Sequence, residues 1–341
     1  MPGVSGPPAW REVIPEGEAA RLEALAKRLI GRGKRDGRPL HHKTLAALHA
    51  RFEVTEAPRD LRHGLFAEPG SYDAFVRFSS GAGRVRSDRV PDVRGLAVKI
   101  LGVTGRKVIP GLETATTQDF LAILSPTFPF KDPAAFVDIA VASRRGKLAV
   151  LGAVLKHYGP LGLFGALPRL QRTLDSSMRS LAERTYFTAV PLRLGPQAVK
   201  LRFRPMDVPS PVPPVGGPNA LAVELLARVR ASPLSFRVEA QRFVDESRTP
   251  IEDPTVEWTE RDAPWVALAR LAIPAQAAES RAGRALAAYV ERLSFDPWHA
   301  LVEHSPLGVV MRARAVAYKH AVIARGAISE LEVKPPSALM E

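Results

Sequence analysis

Apolar positions recur at helical spacing over 18–30, where Leu22, Leu25 and Leu29 share a face and Gly31 and Gly33 end the run. The period then shortens. Alternation predicts strands over 45–54, 74–79, 95–101 and 118–124, with Leu96, Val98 and Ile100 on one face of the third. These four are expected in one sheet. Helical pieces fill 133–171, strand signals return at 185–194, 198–204, 235–243 and 267–273, and helices are predicted over 274–292 and 308–325. About eight strands with helices at the end fit an antiparallel barrel or sandwich covered by helices. The stretch 205–218, with six prolines and two glycines, predicts a surface loop or a turn around a barrel rim.

Composition narrows this picture. With 341 residues, 46% hydrophobic and 24% charged, the chain is globular rather than disordered. The longest apolar stretch, 148–167, is interrupted by Lys156, His157 and Gly159-Pro160, so it reads as one or two buried helices and not as a transmembrane segment. No secretory pattern opens the chain and no peroxisomal address closes it, which leads us to expect a cytoplasmic protein. The absence of cysteine excludes a disulfide framework, a thiolate ligand and sulfur-based zinc or iron-sulfur sites. A net charge of +13 admits a basic nucleic-acid-binding protein, but the arginines are scattered and aromatics are only 7%, so no nucleic acid partner is expected.

Three segments hold candidate chemistry. In the helix predicted over 308–325, Arg314, Tyr318 and Arg325 fall within about 40° of one another at 100° per residue. A guanidinium one turn from a phenol favours the phenolate, and Ala315, Ala317 and Ala321 keep the surroundings small. An amphipathic helix with an ordinary Arg–Tyr pair has the same pattern. The second segment runs from Phe75-Val76-Arg77-Phe78-Ser79-Ser80-Gly81-Ala82-Gly83 to Asp92-Val93-Arg94-Gly95-Leu96-Ala97-Val98-Lys99. By itself it is a hairpin with a glycine and aspartate loop, since Arg86 stands where a dinucleotide loop needs its third glycine and a strand follows. The third, Arg38-Pro39-Leu40-His41-His42-Lys43, is compatible with a metal ligand, a general base or a solvated turn. His299 and His304, with Glu303, lack zinc spacing and read as structural.

Taken together and in this order, the three segments resemble the catalase superfamily. Phe52-Glu53-Val54-Thr55 and Phe295-Asp296-Pro297 add to the likeness, which spans roughly 38–325. Pro250-Ile251-Glu252-Asp253, Val256-Glu257-Trp258 and Phe295-Asp296-Pro297-Trp298-His299-Ala300-Leu301 look like the short, catalase-related (minicatalase-like) branch in particular. The resemblance implies an α+β fold: a catalase-like antiparallel eight-stranded β-barrel with surrounding helices and one haem b (iron protoporphyrin IX). It divides the chain into a helical lead-in (1–35), a haem domain (36–326) and a tail (327–341).

The resemblance also implies roles. Tyr318 is the expected axial ligand of the haem iron, with Arg314 supporting it; His41 is the distal acid and base, with His42 as the alternate register. Ser79 is expected to orient that histidine. Arg38, Arg77 and Arg325 are expected to pair with the haem propionates, and Phe136 to lie over the distal face. The family's distal asparagine is missing: Ile123 and Leu124 occupy that neighbourhood, and Asn219 is the chain's only asparagine. The implied function is a haem-dependent hydroperoxidase, a peroxide-acting oxidoreductase taking hydrogen peroxide or organic or lipid hydroperoxides. A fatty-acid hydroperoxide isomerase or lyase and a non-enzymatic haem-binding protein remain alternatives. The large catalases' tetramer does not carry over, which leaves a homo-oligomer open.

Overall fold

A computed structural model describes residues 14, 16–31, 37–174, 178–206 and 216–336. Part of the lead-in, most of the proline-rich stretch and the end of the tail lie outside them. Helix α1 spans Glu16–Ile30, and strands β1 (Lys43–Val54), β2 (Gly70–Ser80), β3 (Arg94–Leu101) and β4 (Thr117–Ile123) follow as an antiparallel run. Helices α2 (Pro133–Ala142), α3 (Lys147–Tyr158) and α4 (Gly162–Thr173) separate them from β5 (Tyr186–Phe187), β6 (Leu192–Leu194) and β7 (Gln197–Pro205). Helix α5 (Ala220–Ala231), strands β8 (Leu234–Arg242) and β9 (Trp265–Ile273), and helices α6 (Arg281–Arg292) and α7 (Val309–Arg325) complete the order.

The strand order β5-β4-β3-β2-β1-β9-β8-β7-β6 closes on itself, because β5 pairs both with β4 at Ile123↔Phe187 and with β7 at Tyr186↔Phe203. Eight strands form the ring and β6 hangs on β7; β1 meets β9 only over Arg51–Val54, and the closure through β5 is made by short pairings. Strand alternation fills the inside: Leu48, Phe52, Val76, Phe78, Leu96, Val98, Phe203 and Phe236 join one core. The neighbours Ala47 and Phe75 point outward, where α6 covers them with Leu286 and Val290.

Three sequence expectations are corrected and one further helix is found. The strand expected over 185–194 is two short pieces, because Ala189 adopts a left-handed backbone (φ 61°) and Pro191 follows it. The helix expected over 274–292 begins only after Ser280, whose side chain accepts from the Gly283 N–H as its cap. Helix α5 was not anticipated, although Leu221, Leu225 and Val229 recur at four-residue spacing and are buried. Finally, 148–167 is two helices that are not buried throughout: Leu148 is 85% exposed and Phe164 83%.

The segment after α7 is tied to the barrel by a buried ionic cluster. Lys99 Nζ donates to both Asp119 carboxylate oxygens (2.8 and 2.9 Å) and to Glu330 (2.6 Å), while Thr117 and Ser294 also donate to Glu330. Burial disfavours the Glu330 carboxylate, but Lys99 and His299 outweigh it and bring its pKa down to about 2. The Glu330 contribution is therefore complete above the ordinary glutamate pKa and lost as pH falls through 2. Lys99→Met leaves these buried carboxylates without their ammonium and is expected to cost about 3–5 kcal/mol at neutral pH. The difference from wild type should narrow in acid, where Glu330 without the Lys99 ammonium is protonated; denaturant melts at neutral and acid pH check this.

Candidate active site

One wall of the principal cavity is barrel edge and the other is helix. The cavity, about 240 Å³, is lined on the barrel side by His41, Arg77, Ser79, Gly95 and Ile123, and by Ala313, Arg314, Ala317, Tyr318 and Ala321 of α7. Phe128, Phe136 and Val137 flank it, and Leu22, Leu25 and Leu29 of α1 close another side. The small residues on α7 follow from helical spacing and leave room for a flat ligand against the helix.

Nothing in local sequence dictates the conformation of His41. It is one of two described non-glycine residues with positive φ (51°), a strained arrangement that persists only where surroundings over-determine it. Three contacts do so: the His41 N–H donates to the Gly81 carbonyl (2.9 Å), the His42 N–H to Ala82 (3.1 Å), and the Arg77 guanidinium to the His41 carbonyl (2.9 Å). The glycine and aspartate loop is shaped for this task. Asp92 accepts from the N–H groups of Ala82 and Val93, and a Cβ at Gly83 would lie 2.4 Å from the Pro39 carbonyl oxygen.

The imidazole itself rests in a made-to-measure slot. His41 Nδ1 lies 3.0 Å from Ser79 Oγ, and a Cβ at Gly95 would fall 2.7 Å from His41 Cε1. What exposure the ring has is to the cavity. Burial first, then the guanidinium groups of Arg77, Arg314 and Arg38, push its pKa down to about 3, so the imidazole is neutral at physiological pH. His42 points away: its Nδ1 bonds the Arg38 carbonyl (3.1 Å) and its ring packs over Gly37.

Across the cavity, Arg314 donates to Tyr318 Oη (3.1 Å) and its guanidinium lies 5.3 Å from the tyrosine ring centroid, as the one-turn spacing predicts. Phe136 packs against Phe128 with the rings tilted by 56° and their centroids 5.0 Å apart. Ile123 faces the cavity where the resemblance places an asparagine, and no amide side chain lines it among the described residues.

A third edge is cationic. Arg38, Arg77 and Arg325 converge on the C-terminal end of α6, where backbone carbonyls lack helical partners. Arg325 donates to the carbonyls of Glu291 and Leu293 (both 2.9 Å), Arg38 to Leu293 (2.7 Å), and the Glu291 carboxylate pairs with Arg38 and Arg77. Burial and mutual repulsion depress these arginines, Arg77 to about 9 and Arg325 to about 10. One carboxylate does not balance three guanidinium groups, so this edge favours a further anion. Glu291 and the role of Gly95 were missed from sequence; the Glu291 partners Arg77, Thr44 and Arg38 are 214, 247 and 253 residues away, which leaves no local signal.

The ligand atoms of Asp119, His299 and Glu330 lie within 4.8 Å of one another, a metal-like grouping, but the Lys99 ammonium already supplies the cation. His299 Nδ1 bonds Asp119 (3.0 Å), and His304 Nε2 accepts the Leu65 N–H (2.9 Å), so both histidines are held in structural hydrogen bonds.

No protein-family model matches the sequence, and no curated protein matches it. Solved structures do match. A fungal catalase superposes with TM-score 0.68 at 15% identity, covering 99% of this chain and 68% of that one. Catalase A from Saccharomyces cerevisiae gives 0.69 at 15% identity (99% and 71%), and a bacterial catalase 0.64 at 16% (100% and 66%). This chain, which spans about two thirds of those it matches, has the catalase fold.

Proposed function

We propose that the chain is a haem b-dependent hydroperoxidase. The observation that carries this reading is that His41 and Tyr318 line one apolar cavity edged by three arginines. The donor set fits the cofactor: Tyr318 Oη to hold ferric iron with Arg314 stabilising its phenolate, alanines on α7 to admit a flat macrocycle, and Arg38, Arg77 and Arg325 to pair with the two propionates. Bound there, haem supplies iron redox chemistry for cleavage of the peroxide O–O bond.

His41 moves the proton. With Nδ1–H donating to Ser79 Oγ, Nε2 keeps its lone pair, removes the proton from the hydroperoxide and returns it to the departing oxygen. The balanced reaction with an organic reductant AH2 is ROOH + AH2 → ROH + H2O + A; a second hydrogen peroxide in the reductant's place is oxidised to O2. Phe136 and Phe128 keep water from the site, and Arg77, through the His41 carbonyl, fixes the strained segment. Ile123 in place of an amide removes a hydrogen-bonding partner for hydrogen peroxide and its water product. That substitution favours bulky organic hydroperoxides, and it is also the observation that supports the isomerase reading.

Tyr318→Phe is expected to lose haem, and Arg314→Leu to weaken its binding by about 10–100-fold, both read as the Soret band during titration with hemin. Turnover of cumene hydroperoxide with a reducing dye should exceed oxygen release from hydrogen peroxide. Rearrangement of a lipid hydroperoxide without reductant consumption would instead favour the isomerase. His41→Ala should retain haem and slow turnover by about 10²–10⁴-fold, while His42→Ala leaves it unchanged. Because neutral imidazole is the base and its pKa is about 3, rates should be flat across neutrality and fall only as pH approaches 3. An acid limb near 6.5 would contradict the assignment.

A further inference from the structure

We propose that the α3–α4 hairpin docks on an anionic lipid surface. Among the described residues, the three most exposed large apolar side chains all lie on it: Leu148 at 85%, Leu161 and Phe164 at 83%. Leu155, seven residues after Leu148, shares its face of α3 and is also exposed. The hairpin is not loose: Val154 and Ala166 pack on Phe130 and Ile139, so the opposite sides of α3 and α4 are held outward by a formed core.

Charge identifies the partner. From 139 to 174 the chain has no Asp or Glu and six basic residues, Arg144, Arg145, Lys147, Lys156, Arg169 and Arg172. Asp138, just before this stretch, is taken up by Arg28, Lys156 and His157, whereas Arg145, Lys147 and Arg172 form no ion pair among the described residues. A two-fold contact with a second copy would set these cations against their equivalents. Protruding apolar side chains flanked by basic ones, on helices too short to span, are instead the composition of an element that lies in the headgroup region. A consequence for substrate rests on the hydroperoxidase reading: α2, on which this hairpin packs, also supplies Phe136 and Val137 to the cavity, so apolar peroxides formed in the bilayer would arise beside it. The docking itself does not depend on haem.

The test is flotation of the purified chain with phosphatidylcholine vesicles, with and without about 30 mol% phosphatidylglycerol. Binding is expected only to the anionic vesicles and should weaken with salt. Leu148→Ser/Leu161→Ser/Phe164→Ser should abolish it without changing the melting temperature. Arg145→Glu/Lys147→Glu/Arg172→Glu should weaken it roughly 100-fold or more. In Phe164→Trp, insertion should appear as a blue shift quenched by brominated lipid. The proposal is overturned by absence of binding at low salt. It is equally overturned by undiminished binding of the serine variant, which would assign the effect to net charge. A dimer that disappears in the serine variant, seen by sedimentation, would assign the surface to a second copy.

Discussion

Three guanidinium groups gathered at the end of α6 set the geometry of the cavity. Arg38 comes from the approach to β1, Arg77 from β2 and Arg325 from the last turn of α7, so the Glu291 carboxylate and the α6 carbonyls join the parts that carry His41 and Tyr318. Burying so many cations is costly unless their donors are satisfied. Here backbone carbonyls freed by the helix terminus do much of this, and the negative end of the α6 dipole adds to it. The arrangement holds two walls in register and keeps excess positive charge where an anionic ligand would enter.

The two walls are built by different means. Tyr318 and Arg314 are a local pair on a regular helix, and their contact needs only helical pitch. His41 depends on distant chain: Gly81 accepts its N–H and Ala82 that of His42, Ser79 meets its ring, Gly95 makes room, and Arg77 anchors its carbonyl. A left-handed histidine persists because these contacts together outweigh the strain. Its depressed basicity has a related origin, since the same packing removes the ring from water beside Arg77 and Arg38, with Arg314 of α7 adding to their charge.

Outside the cavity, the fold separates buried charge from exposed apolar surface. The Lys99 cluster satisfies its charges internally and joins the C-terminal segment to the barrel. The α3–α4 hairpin does the reverse: it seals only one side and leaves leucines and a phenylalanine in the open. Periodicity cannot distinguish these outcomes, because an apolar run says that a segment seeks a nonaqueous partner, not whether the partner lies within the same chain.

Most strands and the last helix were legible because alternation and helical spacing are local properties, and Arg314 with Tyr318 needed no more than that. The split of 185–194 and the late start of α6 were not, since a left-handed Ala189 and the Ser280 cap are decided by what surrounds them. The order of segments was enough to bring the catalase likeness into view, along with Arg38, Arg77 and Arg325. Only the tertiary structure put His41 rather than His42 at the cavity, found Glu291 among the arginines and turned Leu148 and Phe164 outward. Each of these depends on groups far apart in the chain, and burial, charge balance and strain act through space rather than along the sequence.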